Sequence, residues 1–183
     1  MRIGVFGLGN VLRGDDGFGP SAVERLAAGW ALPDEIVMGD LGTPGLDLAS
    51  HLMGLDVLIL FDAIEAEDDE PGTLHVFRKA DILEHAVQGW RTSTHQSGLR
   101  EALWVTDAIG QCPSEVSLIG VVPASLETGT GLSPEVEAQV DPACRLAVQL
   151  LHGFGIDAAP RDAPTPSVAW WEEHRSIGES PRT

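Results

Sequence analysis

The sequence has few basic residues, few cysteines and no long hydrophobic run. Lys and Arg total 11 against 28 Asp and Glu, which gives a formal net charge of −17. Such an acidic surface repels the phosphates of nucleic acids and the anionic headgroups of lipids, so neither is an expected partner. Apolar stretches such as 57–61 have only the length of a strand. We therefore expect no signal peptide and no membrane-spanning segment.

The two cysteines, Cys112 and Cys144, are far apart in the sequence. They form no close-spaced pair for zinc, and two are too few for a disulfide framework, so a reducing cytoplasm is the expected location. Neither cysteine has a histidine-containing motif beside it. A packed or surface thiol is therefore the prediction, rather than a catalytic nucleophile.

What is present is the composition of one folded domain: 183 residues, 43% of them hydrophobic. Short β-type runs, at 3–6, 36–38, 57–61, 73–77 and 116–122, alternate with helical patterns. This alternation predicts an α/β fold, a three-layer α/β/α sandwich with a twisted, mostly parallel sheet of about five strands. The short connection before 73–77 favours an antiparallel strand there.

The helices are predicted from apolar spacing and from their capping residues. The first is expected from Pro20 to Gly29, and the last from the Ser133 cap to about His152. The apolar faces of the first, second and third helices are expected to comprise Ala22, Val23, Leu26 and Ala27; Leu46, Ala49 and Leu52; and Leu99, Ala102, Leu103, Thr106 and Ile109. Pro142 predicts a kink or break in the last helix. We expect the α/β domain to span 1–154, with a proline-rich irregular tail at 155–183.

The loop after the first strand is rich in glycine but lacks the residues of a nucleotide site. Leu12 stands where a dinucleotide fingerprint needs its third glycine. Asp15 and Asp16 stand where a phosphate-binding loop needs Lys and then Ser or Thr, and their charges would repel a phosphate. Carboxylate oxygens in this place are better suited to a cation.

Two further polar residues are expected at the same edge of the sheet. Asp62 ends the most hydrophobic run, and His95 lies in a polar segment before a helix. Since ligands of doubly wound sheets bind beyond the carboxyl ends of the strands, Asp16, Asp62 and His95 are a candidate site for nickel, zinc or iron. The alternatives are a helix cap at Asp16, a turn cap at Asp62 and an ordinary loop residue at His95.

Several segments together resemble one known family, the hydrogenase maturation endopeptidases, which process the large subunit of nickel-iron hydrogenases. The matching segments span residues 3 to about 150 and are Gly7–Gly19, Asp40–Gly45, Asp62–Ala63, His95–Leu99, Gly120–Pro123 and Gly131–Pro134. The resemblance implies an endopeptidase that removes the C-terminal extension of the large-subunit precursor after nickel has been inserted.

The resemblance also implies roles for individual residues. Asp16, Asp62 and His95 match the family's metal-contacting positions, and the two aspartates are also the catalytic candidates. The nickel would be supplied by the substrate, and another divalent cation would be able to occupy the site in the isolated protein. Contacts to the substrate are predicted for Asp40, Gly42, Thr43 and Gln96, whereas the alternative for Thr43 and its flanking glycines is a turn leading into a helix.

Two other functions stay open at this point. A non-catalytic, metal-sensing chaperone would grip the same immature subunit without cutting it. A phosphate-using enzyme on a similar fold is opposed by the acidic pair Asp15 and Asp16. In the tail, Trp170 and Trp171 are candidates for a docking element or for packing back on the domain.

Overall fold

The computed structural model describes residues 1–64, 66, 68–84 and 94–163, with only the backbone of residues 46 and 94–97. The strands are β1 (Ile3–Gly7), β2 (Trp30–Ala31), β3 (Ile36–Asp40), β4 (Val57–Ala63), β5 (Leu74–Arg78), β6 (Glu115–Val121) and β7 (Ala159–Pro160). The α-helices are α1 (Phe18–Gly29), α2 (Leu48–Leu52), α3 (Lys79–Glu84), α4 (Thr94–Ala108) and α5 (Pro134–Gly153). Short 3-10 helices at Gly14–Gly17 and Gly45–Asp47 lead into α1 and α2.

The main sheet has five strands in the order β3-β1-β4-β6-β5. The first four run parallel to one another, and β5 pairs antiparallel with β6, as its short connection predicted. The predicted fold class is therefore confirmed. The carboxyl ends of β3, β1, β4 and β6 all lie at one edge of the sheet, which is where ligands bind in this architecture.

Strand β4 lies at the centre of the sheet because its side chains are apolar on both faces. Val57, Ile59 and Phe61 pack with α1 and α5 in one core. Leu58 and Leu60 pack with α2 and α4 in a second core on the opposite face. Every residue of β4 is buried, so the strand is a rigid support for what stands at its carboxyl end.

Two expected core positions lie on the surface instead. Helix α1 begins at Phe18, two residues before Pro20, and Ala27 is exposed near its end. Ile109 follows α4 and is 54% exposed. Ala27 directly follows the buried Leu26 but lies on the solvent side of α1, whereas Ile109 is about one turn beyond the buried Thr106, where α4 has already ended.

The expected break at Pro142 does not occur, since α5 runs from Pro134 to Gly153 without interruption. Proline removes one helical hydrogen bond, which would have ended at the carbonyl group of Ala138. Ala138 is exposed, so water can satisfy that carbonyl group. The next turn buries Ala143 and Cys144 against α1, and this packing offsets the cost of about 3 kcal/mol for an internal proline.

Some short elements have no counterpart in the sequence patterns. Strands β2 and β7 pair antiparallel over two residues each, which is too short for a period to be recognised. Helix α3 has only six residues, too few for a helical period to be recognised; none is fully buried, and Ile82 and Leu83 pack partly buried against the second core. The division of the chain at residue 154 stays a prediction, and the expectations for Trp170 and Trp171 lie outside the described residues.

In the part of the chain that the structure describes, no helix is both long and apolar enough to cross a membrane.

The two thiols are expected to react very differently with alkylating reagents. Cys144 is 2% exposed, its Sγ donates to the carbonyl oxygen of Ala22, and burial raises its pKa to about 12. Cys112 is partly exposed. In the folded protein iodoacetamide should label Cys112 and leave Cys144 unmodified, as measured by peptide mass spectrometry, because the thiolate is the nucleophile.

Unfolding in denaturant should make both cysteines reactive, which is the control for this labelling. The folded pKa of Cys144 lies above its ordinary value of 9.0. Its contribution to stability is therefore complete below about pH 9 and is lost as the pH rises towards 12. Equal labelling of both thiols in the folded state would contradict the burial of Cys144.

Candidate functional site

A cleft of about 270 Å³ lies at the carboxyl edge of the sheet, between the loops that follow β1 and β3. Its lining residues are Gly9, Asn10, Val11, Leu12, Asp40, Gly42 and Thr43. The two loops are joined by a hydrogen bond from the N–H of Gly9 to the carbonyl oxygen of Gly42, at 2.9 Å. A backbone hydrogen bond therefore fixes the spacing between the two loops that form the walls of the cleft.

Three of the four predicted substrate contacts lie in this cleft. The N–H of Gly42 donates to Asp40 Oδ1 at 2.7 Å, so the carboxylate also shapes the turn that leads towards α2. Asp40 is exposed at the rim, yet partial burial raises the pKa of its carboxyl group, and the hydrogen bond from Gly42 opposes this rise. The two alternatives for Thr43 and its flanking glycines, a wall of the cleft and a turn leading into a helix, are therefore compatible.

Asp16 lies in the 3-10 helix Gly14–Gly17 and is 3% exposed. Its Oδ2 accepts a hydrogen bond at 3.1 Å from the backbone N–H of Asn10, a residue that lines the cleft. Gly9 permits this arrangement, because it adopts a φ of 133° and a Cβ there would meet the carbonyl oxygen of Asp16 at 1.9 Å. Asp16 is therefore one hydrogen bond away from the cleft.

Asp62 lies within β4, near its carboxyl end, and is fully buried. Its backbone is in register with Gly120 of β6. The 3-10 helix that carries Asp16 packs against β4, so the fold brings the segments of both aspartates to the same part of the sheet edge. Burying a carboxylate is costly unless a polar partner or a cation stabilises it, so this position is unusual for a purely structural residue.

His95 and Gln96 lie in the first turn of α4, and their side chains are outside the described part of the structure. This end of α4 approaches the loop that follows the cleft, since a Cβ at Gly98 would be 3.4 Å from the carbonyl oxygen of Gly45. Among the described side chains, no three His, Cys, Asp or Glu residues are grouped closely enough to hold a metal ion. The triad of Asp16, Asp62 and His95 thus stays a prediction.

The structure separates the two adjacent aspartates, which the sequence pattern had grouped as one acidic pair. The carboxylate of Asp15 turns away from Asn10 and accepts hydrogen bonds from the segment 124–133. The sequence analysis missed this separate environment of Asp15, and it also did not single out Asn10. Its Oδ1 accepts from the N–H of Leu12, a local turn typical of asparagine in a glycine-rich loop, so a sequence signal was available.

The comparison with known proteins gives one consistent family. A sequence profile of the HycI family, hydrogenase maturation protease, matches residues 20–150. Hydrogenase 2 maturation protease of Escherichia coli is 37% identical over 163 residues, which are 89% of this chain and 98% of the relative. The hydrogenase expression/formation protein HupD of Bradyrhizobium diazoefficiens is 40% identical over 164 residues, which are 89% of this chain and 84% of the relative.

The chain belongs to the hydrogenase maturation protease family. A solved structure agrees: the hydrogenase maturating endopeptidase HybD from Escherichia coli superposes with a TM-score of 0.82 at 37% identity, over 88% of this chain and 98% of that one. As a hydrogenase maturation protease, the protein is an endopeptidase, which favours the enzyme over the chaperone and the phosphate-using enzyme. The matched range 20–150 includes Asp40, Asp62 and His95, and it begins after Asp16.

Proposed function

We propose that this hydrogenase maturation protease removes the C-terminal extension of a nickel-iron hydrogenase large subunit, after nickel has been inserted into that subunit. In this proposal the nickel belongs to the substrate and is contacted by Asp16, Asp62 and His95. The observation that carries the proposal is the packing of the Asp16 turn against β4, the strand that holds the buried Asp62, with Asp16 one hydrogen bond away from the cleft.

The cleft supports this function by its shape and its lining. Glycine at position 42, where a Cβ would meet no atom within 4 Å, leaves room for the backbone of a bound peptide. The carboxylate of Asp40 lines the cleft and can accept a hydrogen bond from the peptide. An extended C-terminal segment of the large subunit is the ligand that we propose for this cleft, with Gln96 as a further contact from α4.

The two aspartates supply the charge that a metal-loaded substrate needs. Carboxylate and imidazole groups together suit a borderline divalent ion such as nickel. A cation held by these residues would be able to polarise the carbonyl group of the scissile bond, and a carboxylate would be able to accept a proton from water. Hydrolysis adds water across one peptide bond, with the hydroxyl going to the carbonyl carbon and a proton to the departing amine.

Dependence on nickel gives the reaction its place in the assembly sequence. A precursor without nickel lacks the cation that would pair with the buried carboxylates, so it binds the site without this favourable charge interaction. Cleavage then follows metal insertion and does not precede it. We propose that the reaction takes place in the cytoplasm, where the two free thiols, Cys112 and Cys144, would stay reduced.

The test is a cleavage assay with a matched large-subunit precursor, prepared with and without nickel and analysed by intact-mass spectrometry. We expect loss of a C-terminal peptide from the nickel-loaded precursor only. The same preparations must be cut by their own maturation protease, which controls for a misfolded substrate.

Three other outcomes would count against parts of the proposal. Equal cleavage of both precursors would contradict the dependence on nickel. Cleavage at an internal site would contradict the C-terminal position. Stable binding of the nickel-loaded precursor without any product would instead support a chaperone.

A further inference from the structure

Asp15 is a buried aspartate whose carboxylate is surrounded by hydrogen-bond donors. It is 1% exposed, and its two carboxylate oxygens accept four hydrogen bonds. Oδ2 accepts from the N–H groups of Ala124 and Ser125, at 2.8 and 3.0 Å, and from Ser133 Oγ–H at 2.9 Å. Oδ1 accepts from the N–H of Ser133 at 2.6 Å. Both carboxylate oxygens of Asp15 are thus engaged by the segment 124–133.

We propose that Asp15 is the positioning residue of the catalytic loop, holding the carboxylate of Asp16 in the orientation required at the cleft. This inference rests on the proposed protease function only for its effect on cleavage. Asp15 itself does not touch the substrate or the metal. It acts through the 3-10 helix that it shares with Asp16.

The backbone around Asp15 is fixed by the same partner segment. The N–H of Gly14 donates to the carbonyl oxygen of Gly129 at 2.9 Å, and the N–H of Asp15 donates to that of Ser125 at 3.0 Å. Side chain and main chain together join the Gly14–Gly17 turn to the loop between β6 and α5. The next residue along, Asp16, then has little freedom beyond its own side-chain rotation.

The charge of Asp15 is stabilised by the helix that follows its partner loop. Ser133 is the N-cap of α5, and its Oγ also accepts from the N–H of Val136. A carboxylate at the N-terminus of a helix is favoured by the unpaired N–H groups and by the helix dipole. The charge of Asp15 is therefore compensated within the fold.

The first test measures position without measuring activity. Asp16 accepts from the N–H of Asn10, so exchange of that amide hydrogen, followed by NMR, reports where the Asp16 carboxylate lies. Asparagine at position 15 keeps the size of the side chain but loses the charge and half of its acceptors. In the Asp15→Asn variant we expect protection of the Asn10 amide to fall about tenfold, with protection of Ile59 in β4 unchanged.

The matched control is Asp34→Asn, which makes the same charge change at an exposed residue before β3. It should leave the protection of the Asn10 amide as in the parent.

A second, milder variant keeps the test available if Asp15→Asn does not fold. Ser133→Ala removes one of the four hydrogen bonds and should lower Asn10 protection by a smaller factor, whereas Ser133→Thr keeps the hydroxyl and should restore it.

The second test measures cleavage of nickel-loaded precursor in single turnovers. Loss of a residue that orients a metal-contacting group typically costs about 10- to 100-fold in activity. We expect Asp15→Asn to lower the rate at saturating precursor by about that factor, while precursor affinity changes little. Ser133→Thr should again be close to the parent.

The outcomes separate this inference from the proposed function. Parental protection of Asn10 in Asp15→Asn would overturn the positioning role, and so would an equal loss of protection at Ile59, which indicates a global effect. Loss of Asn10 protection alone supports the positioning role even where the parent cuts no precursor, and that failure would then count against the proposed function only.

Discussion

Replacing Asp62 by asparagine should abolish removal of the C-terminal extension while leaving the fold intact. The asparagine side chain has nearly the same shape, so the packing of β4 between its two cores is preserved. What is lost is the carboxyl group proposed to contact the cation, in a site excluded from solvent where such electrostatic interactions are strongest. We expect the rate of cleavage of nickel-loaded precursor to fall by at least about 100-fold.

The matched control for this variant is Asp56→Asn. Asp56 precedes the same strand but lies at the opposite edge of the sheet, where its side chain is 57% exposed and accepts from the N–H of Arg2. This variant should cleave at the parental rate. Asp16→Asn should resemble Asp62→Asn, since both carboxylates are proposed to contact the same ion.

Thermal unfolding of both aspartate variants separates a lost site from a lost fold. Asp62→Asn should unfold within a few degrees of the parent, because an isosteric substitution creates no cavity. Cleavage by Asp62→Asn at a rate within severalfold of the parent would contradict the proposed contact with the metal. A large fall in melting temperature would instead assign Asp62 a structural role.

The central part of the fold could be predicted because its signals are local. The apolar run at 57–61 identified a central strand, and Ser133 with Pro134 identified the beginning of α5. Each signal resides within a few consecutive residues and depends on elementary sterics or solvation. The antiparallel β5 followed in the same way from a connection too short for a crossover.

The errors in the fold arose where distant segments decide the outcome. Exposure of Ala27 and Ile109 depends on which side of α1 packs on the core and on where α4 ends, which no single helix encodes. The continuation of α5 through Pro142 depends on packing against α1, a helix more than 100 residues earlier. The alternative of a break was wrong there because tertiary contacts outweigh propensity.

The same distinction between local signals and contacts of distant segments applies to the site. Asp40, Gly42 and Thr43 were predicted from the family resemblance, and they lie near the first loop because parallel strands end at a common edge. The separate environment of Asp15 could not be predicted, since its partner Ser133 is 118 positions away in the sequence. For His95 and Gln96 only the backbone position in α4 is described, so their roles rest on the family resemblance and stay predictions.

Replacing Gly19 by alanine should destabilise the whole protein, because this residue is where α1 meets the carboxyl ends of β1 and β4. A Cβ at Gly19 would lie 2.1 Å from the carbonyl oxygen of Leu8 and 2.5 Å from that of Phe61. Both atoms belong to backbone that is held by the hydrogen bond from the N–H of Leu8 to the carbonyl oxygen of Phe61. Neither can move aside without breaking that bond.

The cost should therefore be that of overpacking a core against rigid backbone, about 3 kcal/mol or more. For a protein of this size that lowers the melting temperature by roughly 10 °C, as measured by calorimetry or circular dichroism. Gly39→Ala in β3 is the matched control, because a Cβ there meets no atom within 4 Å. It should stay within about 0.5 kcal/mol of the parent.

Gly19→Ala also tests how the site depends on the packing of α1 against β1 and β4. Gly19 lies in α1, the helix that follows Asp16, and packs against the strand that carries Asp62. A shift of α1 therefore changes the relative position of the two carboxylates. Even at a temperature where Gly19→Ala is fully folded, we expect cleavage to be slower than in Gly39→Ala. Parental stability of Gly19→Ala would mean that α1 does not approach β1 and β4 as closely as the structure places it.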